Sequence, residues 1–156
     1  MILWVVIVLS AVCSASLSFI ADAYLHERIA IIGSFLGLQL AHNPGIAFSI
    51  QLPKGMEMLI ILAALGLITW LAVCSAKNAV QQIAFGLIIG GALGNIIDRL
   101  SDGLVTDYFQ VGTFPIFNVP DSCITIGVTL LILEELLKFL ISRGNGEERK
   151  AKSEER

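Results

Sequence analysis

Apolar residues fall into four blocks separated by polar, glycine-containing connections. A helix rises about 1.5 Å per residue, so about 20 apolar residues cross a hydrocarbon core of roughly 30 Å. By that measure Ile2–Ala21, Met58–Ala76, Ala79–Ile97 and Ser122–Ile141 are expected as membrane helices. The first block has no charged side chain and no Lys or Arg before it. It is longer than the roughly 7–15 apolar residues of a cleaved signal, so a retained span is expected. The fourth carries Glu134, Glu135 and Lys138 towards its far end. That end must approach the headgroups or face other protein.

Between the blocks the period changes from helical to two. Leu36, Leu38 and Leu40 alternate before Asn43-Pro44-Gly45, and Ile46, Phe48, Ile50 and Leu52 alternate after it. Alternation across a turn cluster predicts a hairpin there. In the second long connection Val105, Asp107 and Phe109 alternate, a turn is expected near Gly112, and the strand pattern resumes at Phe114-Pro115-Ile116-Phe117. Strand edges cannot be left in lipid, so this element belongs at the interface or beyond. The expected fold is an all-α membrane protein of four transmembrane helices with a small extramembrane β element. Residues 1–143 form the membrane domain, and residues 144–156 are expected as a mobile, charged cytoplasmic tail.

Composition agrees with the blocks. Of 156 residues 56% are hydrophobic, against roughly 45–50% in soluble domains, and the mean hydropathy is +0.83. The net charge of -3 gives no footprint for nucleic acid. Cys13, Cys74 and Cys123 all lie in apolar segments, with no Cys-x-x-Cys and no Cys/His cluster at zinc spacing. No metal or cofactor is therefore expected. An even number of spans puts both termini on one side. Lys77, Lys138, Arg143, Arg149, Lys150, Lys152 and Arg156 fall on that side, and Arg28, Lys54 and Arg99 on the other. The bias places both termini in the cytoplasm and both long connections outside.

Carboxylates beside hydrocarbon are costly, so a cluster at the mouth of two spans is a candidate site. Four of the thirteen acidic residues lie between Gly90 and Asp121. A turn near Gly112 would bring Asp107 back towards Asp121 at the start of the fourth block. Two carboxylates in contact share a proton; the charged one activates water and the neutral one polarises a carbonyl. Each also has a plainer reading. Asp121 after Pro120 is suited to capping a helix, and Asp107 to an exposed turn. Asn95, Asp98 and Arg99 share a helix face at the end of the third block. They are equally suited to an interfacial ion pair or to supporting a site. Asn43 is ordinary turn chemistry, and His26 and His42 stand isolated. No Gly-x-Ser-x-Gly occurs, which argues against a serine hydrolase.

Four motifs carry a resemblance. Asn43-Pro44-Gly45-Ile46-Ala47-Phe48 resembles Asn-x-Gly-Ala-Ala-Phe, and Gly94-Asn95-Ile96-Ile97-Asp98-Arg99 fits Gly-Asn-x-x-Asp-Arg. Val105-Thr106-Asp107-Tyr108-Phe109 is similar to a segment with a first catalytic Asp, and Phe117-Asn118-Val119-Pro120-Asp121 to one with a second. In this order, at the ends of four spans, they identify a resemblance to lipoprotein signal peptidase, signal peptidase II. The resemblance implies a cofactor-free aspartic endopeptidase of the bacterial inner membrane, its active site towards the outer face. Its substrates would be diacylglyceryl-modified prolipoproteins, cut before the lipidated cysteine. Membrane lipid is the other expected partner, and the chain is expected to act as a monomer. Asp107 and Asp121 would be catalytic; Asn43, Asn95, Asp98, Arg99 and Asn118 would support them or bind substrate. His26 stands where the family has Lys, Pro120 where it has Ala, and Ile46 where it has a small Ala. A small proton-coupled transporter and a non-catalytic membrane scaffold are the alternatives.

Overall fold

The computed structural model describes residues 1–45 and 55–154. Among the described residues, three helices are long and apolar enough to cross a membrane: α1 (Ile2–Tyr24), α2 (Met56–Ser75) and α3 (Ala79–Asp102). Their positions follow the first three apolar blocks. The fourth block lies within α4 (Val119–Glu154), whose apolar run is interrupted by Asp121, Glu134, Glu135 and Lys138. On length and composition it does not join the other three. The backbone of α4 also continues through Gly144-Asn145-Gly146, where the sequence predicts a break. Each glycine costs a helix only about 1 kcal/mol, and the Glu-, Arg- and Lys-rich stretch beyond is helix-forming.

Helix α3 is central, with α1 and α4 packed along it and α2 more loosely attached. Small residues allow the close approach. A Cβ on Gly94 would lie 2.5 Å from the Ser14 Cβ of α1, and one on Gly91 would lie 2.6 Å from the Pro120 carbonyl of α4. This is the small-residue packing that membrane helices use in place of a hydrophobic driving force. Leu3, Ile7, Ala72, Phe85 and Ile89 form the core at one end of the bundle. Most side chains of α2 are exposed along its length.

The other end carries a three-stranded antiparallel sheet, β1 (Ile29–Ile32), β2 (Leu36–Asn43) and β3 (Val105–Val111), in the order β1-β2-β3. The predicted strands around Leu36–Leu40 and Val105–Phe109 are present. A hairpin that the sequence did not predict is also present: β2 turns back through residues 33–35 onto β1, and its other neighbour is β3. The predicted partner strand, Ile46 to Leu52, lies outside the described residues. The turn near Gly112 is as predicted. Gly112 has φ +53 with Phe35 against it, a conformation that favours glycine, and Phe117 folds back to bridge Phe109. Ala21, Leu25 and Tyr108, with Leu38, Leu40, Phe109 and Val119 around them, seat the sheet on the ends of α1 and α4.

Candidate active site

Asp107 and Asp121 arrive at one place from different elements. Asp107 lies in β3 and is only 4% exposed. Asp121 lies in the first turn of α4. There Asn118 and Asp121 form a reciprocal cap. The Asp121 N–H donates to Asn118 Oδ1 at 2.8 Å, and the Asn118 N–H points to Asp121 Oδ2 at 3.4 Å. The same geometry satisfies the orphan amides of any helix start. The plainer reading of Asp121 as a helix-capping residue is therefore correct, and it fixes the carboxylate in place.

Asn118 then joins the two acids. It is wholly buried, and its Nδ2 donates at 3.0 Å to both Asp107 Oδ1 and Asn95 Oδ1. Asn95 Nδ2 in turn donates to Asp121 Oδ1 at 3.0 Å. On the other side Asn43, the last residue of β2, donates from Nδ2 to Asp107 Oδ2 at 3.3 Å. Five of the seven sequence-predicted residues thus form one hydrogen-bonded network: Asn43, Asn95, Asp107, Asn118 and Asp121. Close packing of α3 on the start of α4, at Gly91 and Gly94, is what brings Asn95 to Asp121.

The other two have different roles. Arg99 Nη2 donates to the Gly45 carbonyl at 2.6 Å, holding the chain just beyond Asn43. Its charge also acts on Asp107, Asp121 and Glu57. Asp98 is not in the network. It accepts from the Thr106 N–H at 2.6 Å and from Thr106 Oγ1 at 3.3 Å, pinning β3 to the end of α3.

Burial pushes the Asp107 carboxyl up to about 7, and the neighbouring Asp121 charge adds to the rise. The Asn43 hydrogen bond and Arg99 oppose it without cancelling it. One acid of the pair thus carries a proton near neutrality while the other is held at a helix N-terminus, where negative charge is favoured. Such a pair is suited to general acid–base chemistry on a carbonyl.

Sequence reasoning missed Thr106, the Gly45 carbonyl and Tyr108, whose hydroxyl accepts from the Val119 N–H at 3.3 Å. It also left His42 isolated, whereas His42 Nε2 lies 2.8 Å from Asp22 Oδ1. These contacts join helix ends to the sheet and its connections, and local spacing carries no signal for them. His26 is exposed.

The sequence model of the Signal peptidase (SPase) II family matches residues 4–137. A lipoprotein signal peptidase from Symbiobacterium thermophilum is 41% identical over 120 residues, covering 72% of this chain and 78% of its own length. One from Brucella ovis is 37% identical over 141 residues, covering 85% and 88%. A bacterial membrane enzyme solved by the in meso method at 2.3 Å superposes with a TM-score of 0.78 at 31% identity, covering 88% of each chain.

Proposed function

The chain belongs to the signal peptidase II family, and from that premise we propose how its residues carry out the family's reaction. It is a protease of a bacterial membrane, and it removes signal peptides from prolipoproteins. The finer reading is an aspartic endopeptidase that cuts a diacylglyceryl-modified precursor immediately before its lipidated cysteine. The observation that carries it is the Asn118 side chain, which donates to Asp107 while its own backbone caps the turn holding Asp121.

In this mechanism Asp107 is protonated and hydrogen-bonds the scissile carbonyl oxygen. Asp121 is charged and takes a proton from water as the water oxygen adds to the carbonyl carbon. The carbonyl oxygen receives the Asp107 proton, giving a tetrahedral diol. Asp121 then passes its proton to the leaving nitrogen as the C–N bond breaks, and Asp107 recovers a proton from a diol hydroxyl. Both acids return to their starting states, and the chemistry needs no metal or cofactor. Asn95 and Asn118 orient the acids, Asn43 supports Asp107, and Arg99 and Asp98 hold the surrounding backbone.

The membrane arrangement is part of the same proposal. Asp121 bonds to Asn95 near one end of α3, and Glu134 accepts from Asn78, the cap at the other end, at 2.7 Å. Between these points α4 runs beside α3 from Asp121 to Glu134, which supports α4 as a fourth span. Lys138 partners both Glu134 and Glu135, offsetting the charge at that end. The reading therefore has a membrane domain over residues 1–143, a charged tail over 144–156, and both termini cytoplasmic. The sheet and dyad lie towards the outer face, where a substrate anchored by acyl chains and a signal helix arrives. The chain acts as a monomer, with lipid around its apolar faces and no role for nucleic acid. Mass spectrometry of the products from a diacylglyceryl-modified precursor tests the cleavage site; a cut anywhere but before the lipidated cysteine would contradict it.

A further inference from the structure

The ladder between β2 and β3 separates two sets of side chains. His42 pairs with Thr106, Asn43 with Val105 and Ala41 with Asp107. Paired residues share a face and successive residues alternate. Asn43 and Asp107 therefore stand together on the catalytic face, and their side chains meet there. His42 and Thr106 belong to the opposite face, and each of these residues is tied to a helix end by a carboxylate. Thr106 is held by Asp98 of α3, and His42 by Asp22 of α1 at 2.8 Å.

The Asp98 tie fixes the strand carrying Asp107. The Asp22 tie fixes the strand carrying Asn43, through the residue immediately before it. We propose that the Asp22–His42 pair is a positioning device: it holds β2 so that Asn43 meets Asp107. The proposal rests on the aspartic reading above. A purely stabilising role is a poor account of the pair. Its side chains are 40% and 56% exposed, and a solvent-exposed pair of this kind contributes little to folding. Its effect should therefore appear in turnover before it appears in folding.

The charged and titratable groups around it are few. His42 faces Asp22 from α1, with Asp98 of α3 across the ladder behind Thr106. Asp107 is faced by Asp121 from α4 and by Arg99 and Asp98 from α3. The Asn43 hydrogen bond favours the charged form of Asp107. Losing Asn43 from its place should thus let Asp107 hold its proton to higher pH. That shift is a readout that general destabilisation does not produce.

The test uses the full chain in detergent with a diacylglyceryl-modified precursor. His42→Ala and Asp22→Asn should each lower kcat by about tenfold, within the roughly 100-fold that a 1 Å misplacement costs. KM and the thermal midpoint should stay near those of the parent. The alkaline limb of the pH profile should move to higher pH, as it should in Asn43→Ala. His42→Arg, which offers Asp22 an N–H donor at the same position, should restore most of the turnover. Adding Asn43→Ala to His42→Ala should cost little more, because the two act in series. Unchanged kcat in both single variants, an unmoved alkaline limb, or fully additive losses would each overturn the proposal. Asp107→Asn is measured alongside: activity there would instead sink the aspartic reading itself.

Discussion

Asp107 is the residue whose environment most constrains the chemistry. Its carboxyl is raised to about 7 from an ordinary 3.8, chiefly by burial. The fold therefore binds a proton that the unfolded chain releases between about pH 4 and pH 7. Stability contributed by this group is present at low pH and is lost as pH rises through that window. Activity should also fall as pH rises through about 7, because the dyad loses its shared proton. Asp107→Asn, which cannot ionise, should be inactive yet gain thermal stability relative to the parent as pH rises from about 4 to 7. A parallel pair of melting curves against pH checks this, and an unchanged difference across the range would contradict it. Asn118→Ala is the second test at this scale. It leaves Asn95 Oδ1 without its donor, at a cost of about 1–3 kcal/mol, and removes one of the two amide donors to Asp107. Turnover should fall by roughly 10- to 100-fold, with a lower thermal midpoint. The acids and amides were legible in the sequence because their types and order match motifs. Their bonds were not, since Asn118 reaches residues 11 and 23 positions away in the chain.

At the scale of elements, the first three apolar blocks are found as helices long and apolar enough to cross a membrane, because such a helix is read from length and hydropathy alone; the fourth lies in a helix interrupted by charge. The sheet was harder. Alternation located β2 and β3, but period two gives no partner, and the predicted turn at Asn43-Pro44-Gly45 is where β2 ends. The hairpin tip at Gly33-Ser34-Phe35 is not legible in the sequence, because it follows a strand of only four residues, Ile29–Ile32, too short to show a period. The helix contacts lead to a further pair of predictions. Pro120 occupies the first turn of α4, where its missing N–H is no loss. Its ring is buried against Gly94. Pro120→Ala should therefore fold and retain activity within a few-fold, at a cost of about 1–2 kcal/mol for the lost ring carbons. Gly91→Val should do much worse, because its Cβ would meet the Pro120 carbonyl and displace the turn that carries Asp121. Comparable thermal midpoints and turnover in the two variants would show that the approach of α3 to α4 does not set the site.

The whole molecule is a bundle whose acids and sheet lie at one end, with the Asn78–Glu134–Lys138 contacts at the other. The proposed orientation, with both termini cytoplasmic, predicts that Ser101→Cys reacts with an impermeant thiol reagent added outside and Ser153→Cys does not. Cys13, Cys74 and Cys123 are replaced by alanine for that experiment. Reaction at the tail but not at the loop would put the acids in the wrong compartment. The central claim is that Asp107 and Asp121 work as one unit inside this frame. Cleavage of a diacylglyceryl-modified precursor by purified Asp107→Asn, Asp121→Asn and the double variant tests it most directly. Asp102→Asn, which alters an exposed cap at the end of α3, serves as the control. Each single variant should lose nearly all turnover, the double should be scarcely worse than either, and the control should remain close to the parent. Near-normal turnover in either single variant would contradict the account.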